Sequence, residues 1–175
     1  MNKKRGFIFI VVTFLVLLLF YGRIDYTTEP YSSWDLSCYM KIADAAPSLD
    51  PDVMEPYAFR LLGPYLIGLL PTDMVSTFYI FNAGFSLILL LIFYLFLLKR
   101  GIEPFFALFT TIIFALNKYL YGMTLWNYFQ INDVIMLVLI VMMFWAIYEK
   151  KIVFDAILLF IGVFARETAI ITIPV

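Results

Sequence analysis

Histidine is absent from the 175 residues. That removes the commonest general base, nucleophile activator and transition-metal ligand. Cysteine occurs once, at Cys38, so no disulfide can close within the chain. Neither a Ser-His-Asp nor a Cys-His mechanism is open to these residues. Charge is scarce as well, at 14% of residues with a net of −1. Short basic clusters give no surface for nucleic acid, and no metal-ligand cluster is visible in the sequence.

What is present is apolar: 64% of the residues are hydrophobic. A soluble domain is nearer half apolar and a quarter charged. The composition therefore predicts an all-α, polytopic transmembrane helical bundle, one membrane domain over 1–175. A span needs about 20 apolar residues. Five runs qualify, at 6–22, 74–98, 104–120, 131–148 and 152–175. The first follows a basic start (Lys3, Lys4, Arg5) and lacks a small-x-small cleavage signature, so it reads as an uncleaved signal anchor.

Basic residues cluster at Lys3-Lys4-Arg5, Lys99-Arg100 and Lys150-Lys151. The positive-inside rule places all three in the cytoplasm. That requires the stretch 57–70 not to cross. It is shorter than a span and carries Arg60, Gly63 and Pro64, so it is expected to lie as a juxtamembrane or re-entrant helix on the outer face. The segment 23–73 becomes a long acidic extracytoplasmic loop. Within it, Trp34, Cys38, Ile42 and Ala45 form one apolar stripe, which predicts an amphipathic surface helix over 34–46. A second outer loop, 117–130, is rich in aromatics and amides.

The run 152–175 is broken by Asp155 and by Arg166-Glu167. Ionisable groups at membrane depth cost a few kcal/mol each on insertion scales and mark functional sites by default. Counted from Ile152, the pair lies roughly 21–24 Å into a core about 30 Å thick, in its outer half. Asp133 opens the preceding span at that same face. Separate segments thus converge on one outward-facing site.

The order of parts resembles the GT-C superfamily of polytopic glycosyltransferases, which includes protein O-mannosyltransferases and aminoarabinose transferases. The early acid of that family resembles Asp35, within Ser33-Trp34-Asp35-Leu36-Ser37-Cys38-Tyr39. Its juxtamembrane helix resembles Glu55-Pro56-Tyr57-Ala58-Phe59-Arg60-Leu61-Leu62-Gly63-Pro64-Tyr65-Leu66. The likeness is one of architecture. The usual double proline is missing, and known members are longer, so the chain resembles the N-terminal part of such a protein. The resemblance implies a bacterial inner-membrane enzyme with a cytoplasmic N-terminus. Its substrate would be a polyprenyl-phosphate sugar, and it would need no resident cofactor. Inverting transfer needs a carboxylate base and cations on the leaving phosphate. Asp35 is the candidate base. Arg60 and Arg166 suit phosphate because guanidinium offers paired donors. Glu167 and Asp133 accompany them, and Trp34 and Tyr39 offer flat faces to a sugar.

Each residue also has a plainer reading. Asp35 can complete a capping box with Ser32. Arg60 can snorkel to headgroups. Asp133 can complement a helix dipole, and Arg166-Glu167 can be a structural ion pair. Asn127 and Gln130 read as loop residues, and the aromatics at span ends as interfacial belts. A transporter or flippase for a lipid-linked or small anionic substrate stays open, as does a non-enzymatic assembly subunit.

Overall fold

The computed structural model describes residues 2–31, 35–166 and 169. Its helices are α1 (Lys3–Tyr21), α2 (Leu36–Ala45), α3 (Leu62–Gly68), α4 (Met74–Lys99), α5 (Pro104–Ala115), α6 (Met123–Trp126), α7 (Ile131–Tyr148) and α8 (Ile152–Ala165). No strand occurs among the described residues. Three of these helices, α1, α4 and α7, are long and apolar enough to cross a membrane. A bent pair, α5 with Lys118–Trp126, makes a fourth if counted as one span.

The centre of the bundle is α4 against α7, with α8 on the far side of α7 and α1 and α5 against α4. Phe78, Leu89, Leu90 and Tyr94 of α4 are buried against this core, as are Val134, Ile135 and Met143 of α7. By contrast α1 buries one stripe, Gly6, Ile10, Phe14 and Leu17. Its other face shows Leu19 at 84% and Phe20 at 78% exposure. Apolar area of this extent on the outside of a folded chain is what lipid tails cover.

All three basic clusters lie at one end. Phe7 of α1 meets Tyr94 near the end of α4, at 5.5 Å between ring centres. Lys99 in turn bridges to Glu149 after α7 at 3.1 Å. Two tight turns close this end. The Ile102 amide bonds the Leu97 carbonyl at 3.1 Å, and the Lys151 amide bonds that of Ala146 at 2.8 Å. Each turn needs a left-handed residue, met by Gly101 in one and by Lys150 (φ 57°) in the other.

Four expected segments differ in the structure. The run 104–120 is not one helix: α5 stops at Ala115, and the chain restarts 59° away as a π-helical turn, Lys118–Gly122. Asn117 is the cause. Its side chain accepts from the amides of Tyr119 and Leu120 at 3.1 and 3.0 Å, capping a new helix inside apolar sequence. The segment 117–130 is accordingly folded into the bundle, with Tyr121, Tyr128 and Phe129 buried, rather than forming an interfacial loop. The stretch 57–70 is likewise split, into a 3₁₀ turn (Tyr57–Phe59) and α3. At seven residues α3 is about 10 Å long, too short to cross. Finally α8 ends at Ala165 after 14 residues, with Arg166 extended (φ −163°, ψ 140°). The remainder of the expected span 152–175 lies outside the described residues; among the described residues three helices are long enough to span, or four with the bent pair.

The acidic loop is folded onto the bundle. Its helix α2 packs on α3, where a Cβ at Gly68 would overlap the Ala43 carbonyl. The buried stripe of α2 is Tyr39, Ile42 and Ala43; it shares Ile42 with the expected stripe but has Tyr39 and Ala43 where Cys38 and Ala45 were expected.

Candidate functional site

At the end opposite the basic clusters, a broken helix is held by one side chain. Pro64 sits in the first turn of α3 and has no N–H to give the Arg60 carbonyl, its partner four residues back. The side-chain amide of Asn132 donates to that carbonyl instead, at 2.7 Å. The oxygen of the same side chain accepts from the Gly63 amide at 2.8 Å. Asn132 is 1% exposed, on the first turn of α7. Gly63 is required for the approach, since a Cβ there would lie 2.5 Å from Ile131 Cγ2 and 2.9 Å from Asn132 Oδ1. Asn132 thereby fixes where Arg60 stands.

The Arg60 guanidinium lies beside the hydroxyl of Tyr39, which is buried on α2. Burial holds that phenol above its ordinary range, and Arg60 pulls the other way. The charges of Asp133 and Asp35 also reach it. Tyr39 is thus the junction at which both carboxylates and Arg60 are felt.

Asp35 is the N-cap residue of α2, yet its carboxylate makes no cap bond to the described amides of that helix. The capping-box reading rests on the Ser32 amide, and Ser32 lies outside the described residues. The carboxylate instead accepts from the Tyr57 hydroxyl at 2.5 Å, and that bond is the main reason the phenol is pushed up to about 12. The Tyr57 ring meets Tyr39 edge-on at 5.4 Å. Tyr57 therefore remains the donor across the physiological range and orients the acid.

Asp133, next to Asn132, is ion-paired with Arg166 at the end of α8. Both side chains are about one-quarter to one-third exposed, so solvent reaches the pair. Arg166 is therefore partnered across helices, as an ion pair between helices would have it, while Glu167 lies outside the described residues. Its Nε is buried with no partner among the described residues. The pair borders a cavity of about 300 Å³, walled by Met123, Met136, Leu137 and Ile140. That is at the lower end of small-molecule sites. Gln130 borders this cavity and also a narrow cleft of about 10 Å³ beside Asp35 and Tyr39, room for about one water.

Of the expected site residues, Asp35, Tyr39, Arg60, Asp133 and Arg166 come together. Trp34 and Glu167 lie outside the described residues. The sequence reading missed three contributors. Asn132 is one; its signal was an amide at the head of an apolar helix. Asn127 and Gln130 are the others, read as loop residues although both line the Asp35 cleft, with Asn127 buried. Among the described residues no three His, Cys, Asp or Glu side chains stand close enough to share a metal ion.

The class defined is an all-α chain whose apolar helices are compatible with an integral membrane protein. At one end of its bundle Asp35, Asp133, Arg60 and Arg166 stand together. No family model, no curated protein and no solved structure matches it.

Proposed function

We propose that the chain is a membrane glycosyltransferase that moves a sugar from a polyprenyl-phosphate-linked donor to an acceptor on the outer face of the membrane. One observation carries this reading. Asp35, Tyr39, Arg60, Asp133 and Arg166 converge from four separate segments at the end opposite the three basic clusters. With the basic clusters in the cytoplasm, that end faces outward, which is where a lipid-linked sugar is used.

The chemistry follows from the groups. The acceptor hydroxyl gives its proton to Asp35 as its oxygen bonds to the anomeric carbon. The bond from that carbon to the phosphate oxygen breaks, and its electron pair leaves with the polyprenyl phosphate. Tyr57 orients the base by donating to one carboxylate oxygen. Arg60 and Arg166 offset the charge of the departing phosphate, with Asp133 holding Arg166 in place. The cavity beside the Asp133–Arg166 pair takes the sugar or the first isoprene unit.

The test is binding of polyprenyl phosphate to the purified chain in phosphatidylcholine nanodiscs, with the uncharged polyprenol as control. The phosphate is expected to bind and the alcohol not to. Arg60→Gln should weaken binding roughly 10- to 100-fold, the worth of one charge-assisted contact. Equal binding of the alcohol, or wild-type affinity in an Arg60→Gln, Arg166→Gln double variant, would overturn the assignment.

A further inference from the structure

Another cavity lies at the basic end, at the opposite end of the bundle from Asp35 and Asp133. It holds about 400 Å³ between the end of α4, the end of α7 and the start of α8. Its apolar walls are Ile92, Met142 and Phe154, the last of them exposed. Its mouth is polar. Glu149 binds Lys151 at 2.6 Å and Lys99 at 3.1 Å, and accepts from the Trp145 indole at 3.0 Å. The carboxylate thus draws two ammonium groups from different helices to one spot. Both lysines remain more than half exposed, at 54% and 60%. Each ammonium has three donors and gives one to Glu149.

Two lysines against one carboxylate leave this mouth positive, and the surroundings add to it. Arg100 lies 4.0 Å over the Tyr148 ring, and Lys150 stands in the turn between Glu149 and Lys151. The described residues of this end carry Lys3, Lys4, Arg5, Lys99, Arg100, Lys150 and Lys151. Glu103, Glu149 and Asp155 oppose them. A ligand for this place needs a compact anion at the mouth and a hydrocarbon tail between the helices. Basic pockets between helices at the positive end of a membrane protein meet that need with anionic lipid. Trp145 lies in the last turn of α7, and indoles near span ends favour the headgroup boundary.

We propose that this cavity is a binding site for one anionic phospholipid, with its phosphodiester on Lys99 and Lys151 and an acyl chain along Ile92, Met142 and Phe154. The site is independent of the glycosyltransferase reading. It clamps α4, α7 and α8 at the end where their connections are shortest.

Native mass spectrometry of the full chain from mixed micelles of phosphatidylglycerol and phosphatidylcholine reads this directly, beside thermal unfolding in the same micelles. One phosphatidylglycerol is expected to stay bound and to raise the unfolding temperature, with phosphatidylcholine doing neither. Lys99→Gln with Lys151→Gln should raise the phosphatidylglycerol needed for half-occupancy roughly 10- to 30-fold. Because those changes strip Glu149 of its two lysine partners, Met142→Trp is the second variant. It fills the cavity without changing charge and should abolish retention while the mouth stays intact. Inorganic phosphate should not displace the lipid. Equal retention of the two lipids would overturn the proposal, as would displacement by phosphate or wild-type retention in folded Met142→Trp protein.

Discussion

Replacing Asn132 by alanine removes the only described side chain that bridges the head of α7 to the broken start of α3. Two bonds go, at 2.7 Å to the Arg60 carbonyl and at 2.8 Å to the Gly63 amide. Both backbone groups then face a site where Asn132 was 1% exposed and Gly63 is buried. A buried polar group left unsatisfied costs about 1–3 kcal/mol. Arg60 itself is half-buried, so water recovers part of its loss. A total of about 2–3 kcal/mol is the expected outcome. That cost falls locally, on opening of the segment 60–68, because the core of α4 against α7 is untouched. Amide exchange of Gly63 and of α3 should quicken by roughly 30- to 150-fold, the same free energy read as an opening equilibrium. Amides in the middle of α4 and α7 should keep their wild-type rates. Asn132→Leu conserves size and donates nothing, so it should behave like alanine. Hydrogen exchange in detergent or nanodiscs measures this. Unchanged exchange at Gly63 in either variant would refute the bridging role, and with it the positioning of Arg60.

Three further outcomes follow from the same contacts. Gly63→Ala, whose Cβ would lie 2.5 Å from Ile131 Cγ2, should cost about 1–3 kcal/mol by overpacking and reproduce the loosening of α3 in proteolysis. Arg166→Met strips Asp133 of its partner and should destabilise by about 1–2 kcal/mol, discounted for the pair's exposure; adding Asp133→Leu should restore most of the unfolding temperature without restoring sugar transfer. Lys151, Trp145 and Lys99 together hold the Glu149 carboxyl down from its ordinary 4.5 to about 2. A depressed acid stabilises the fold above the unfolded value and loses that contribution as pH falls through the folded one. Thermal unfolding should therefore weaken between about pH 4.5 and pH 2, and Glu149→Gln should flatten the slope in that window.

The long elements were legible because hydrophobic length survives any tertiary context. The expected 131–148 is α7 to the residue, and 74–98 is α4 short by one. The grouping of basic clusters at one end followed from charge alone. The interruptions were not legible. Asn117 caps a new helix by accepting from two amides, and although Lys118 follows it the apolar run resumes at once, so hydropathy read straight through it. Pro64 announced a break, but which side chain would replace its missing donor depended on Asn132, far away in sequence. At the site, residue type picked out Asp35, Arg60, Asp133 and Arg166. Partners were decided by packing: Tyr57 for Asp35, Asp133 for Arg166. Asn127 and Gln130 looked like loop residues because the fold-back of 117–130 into the bundle has no local signature.

Transfer of a radiolabelled sugar from polyprenyl-phosphate hexose and pentose donors, measured beside donor binding for Asp35→Asn, tests most directly whether this end of the bundle is a glycosyltransferase site. Asparagine keeps the size of Asp35 and can still accept from Tyr57, so the fold and the Arg60 and Arg166 contacts to the donor should survive. Binding should stay within about twofold of wild type, a small fraction of one hydrogen bond, while transfer falls by roughly 10²–10⁴, the worth of a general base. Wild-type transfer by folded, donor-binding Asp35→Asn protein would contradict the assignment of Asp35 as the base.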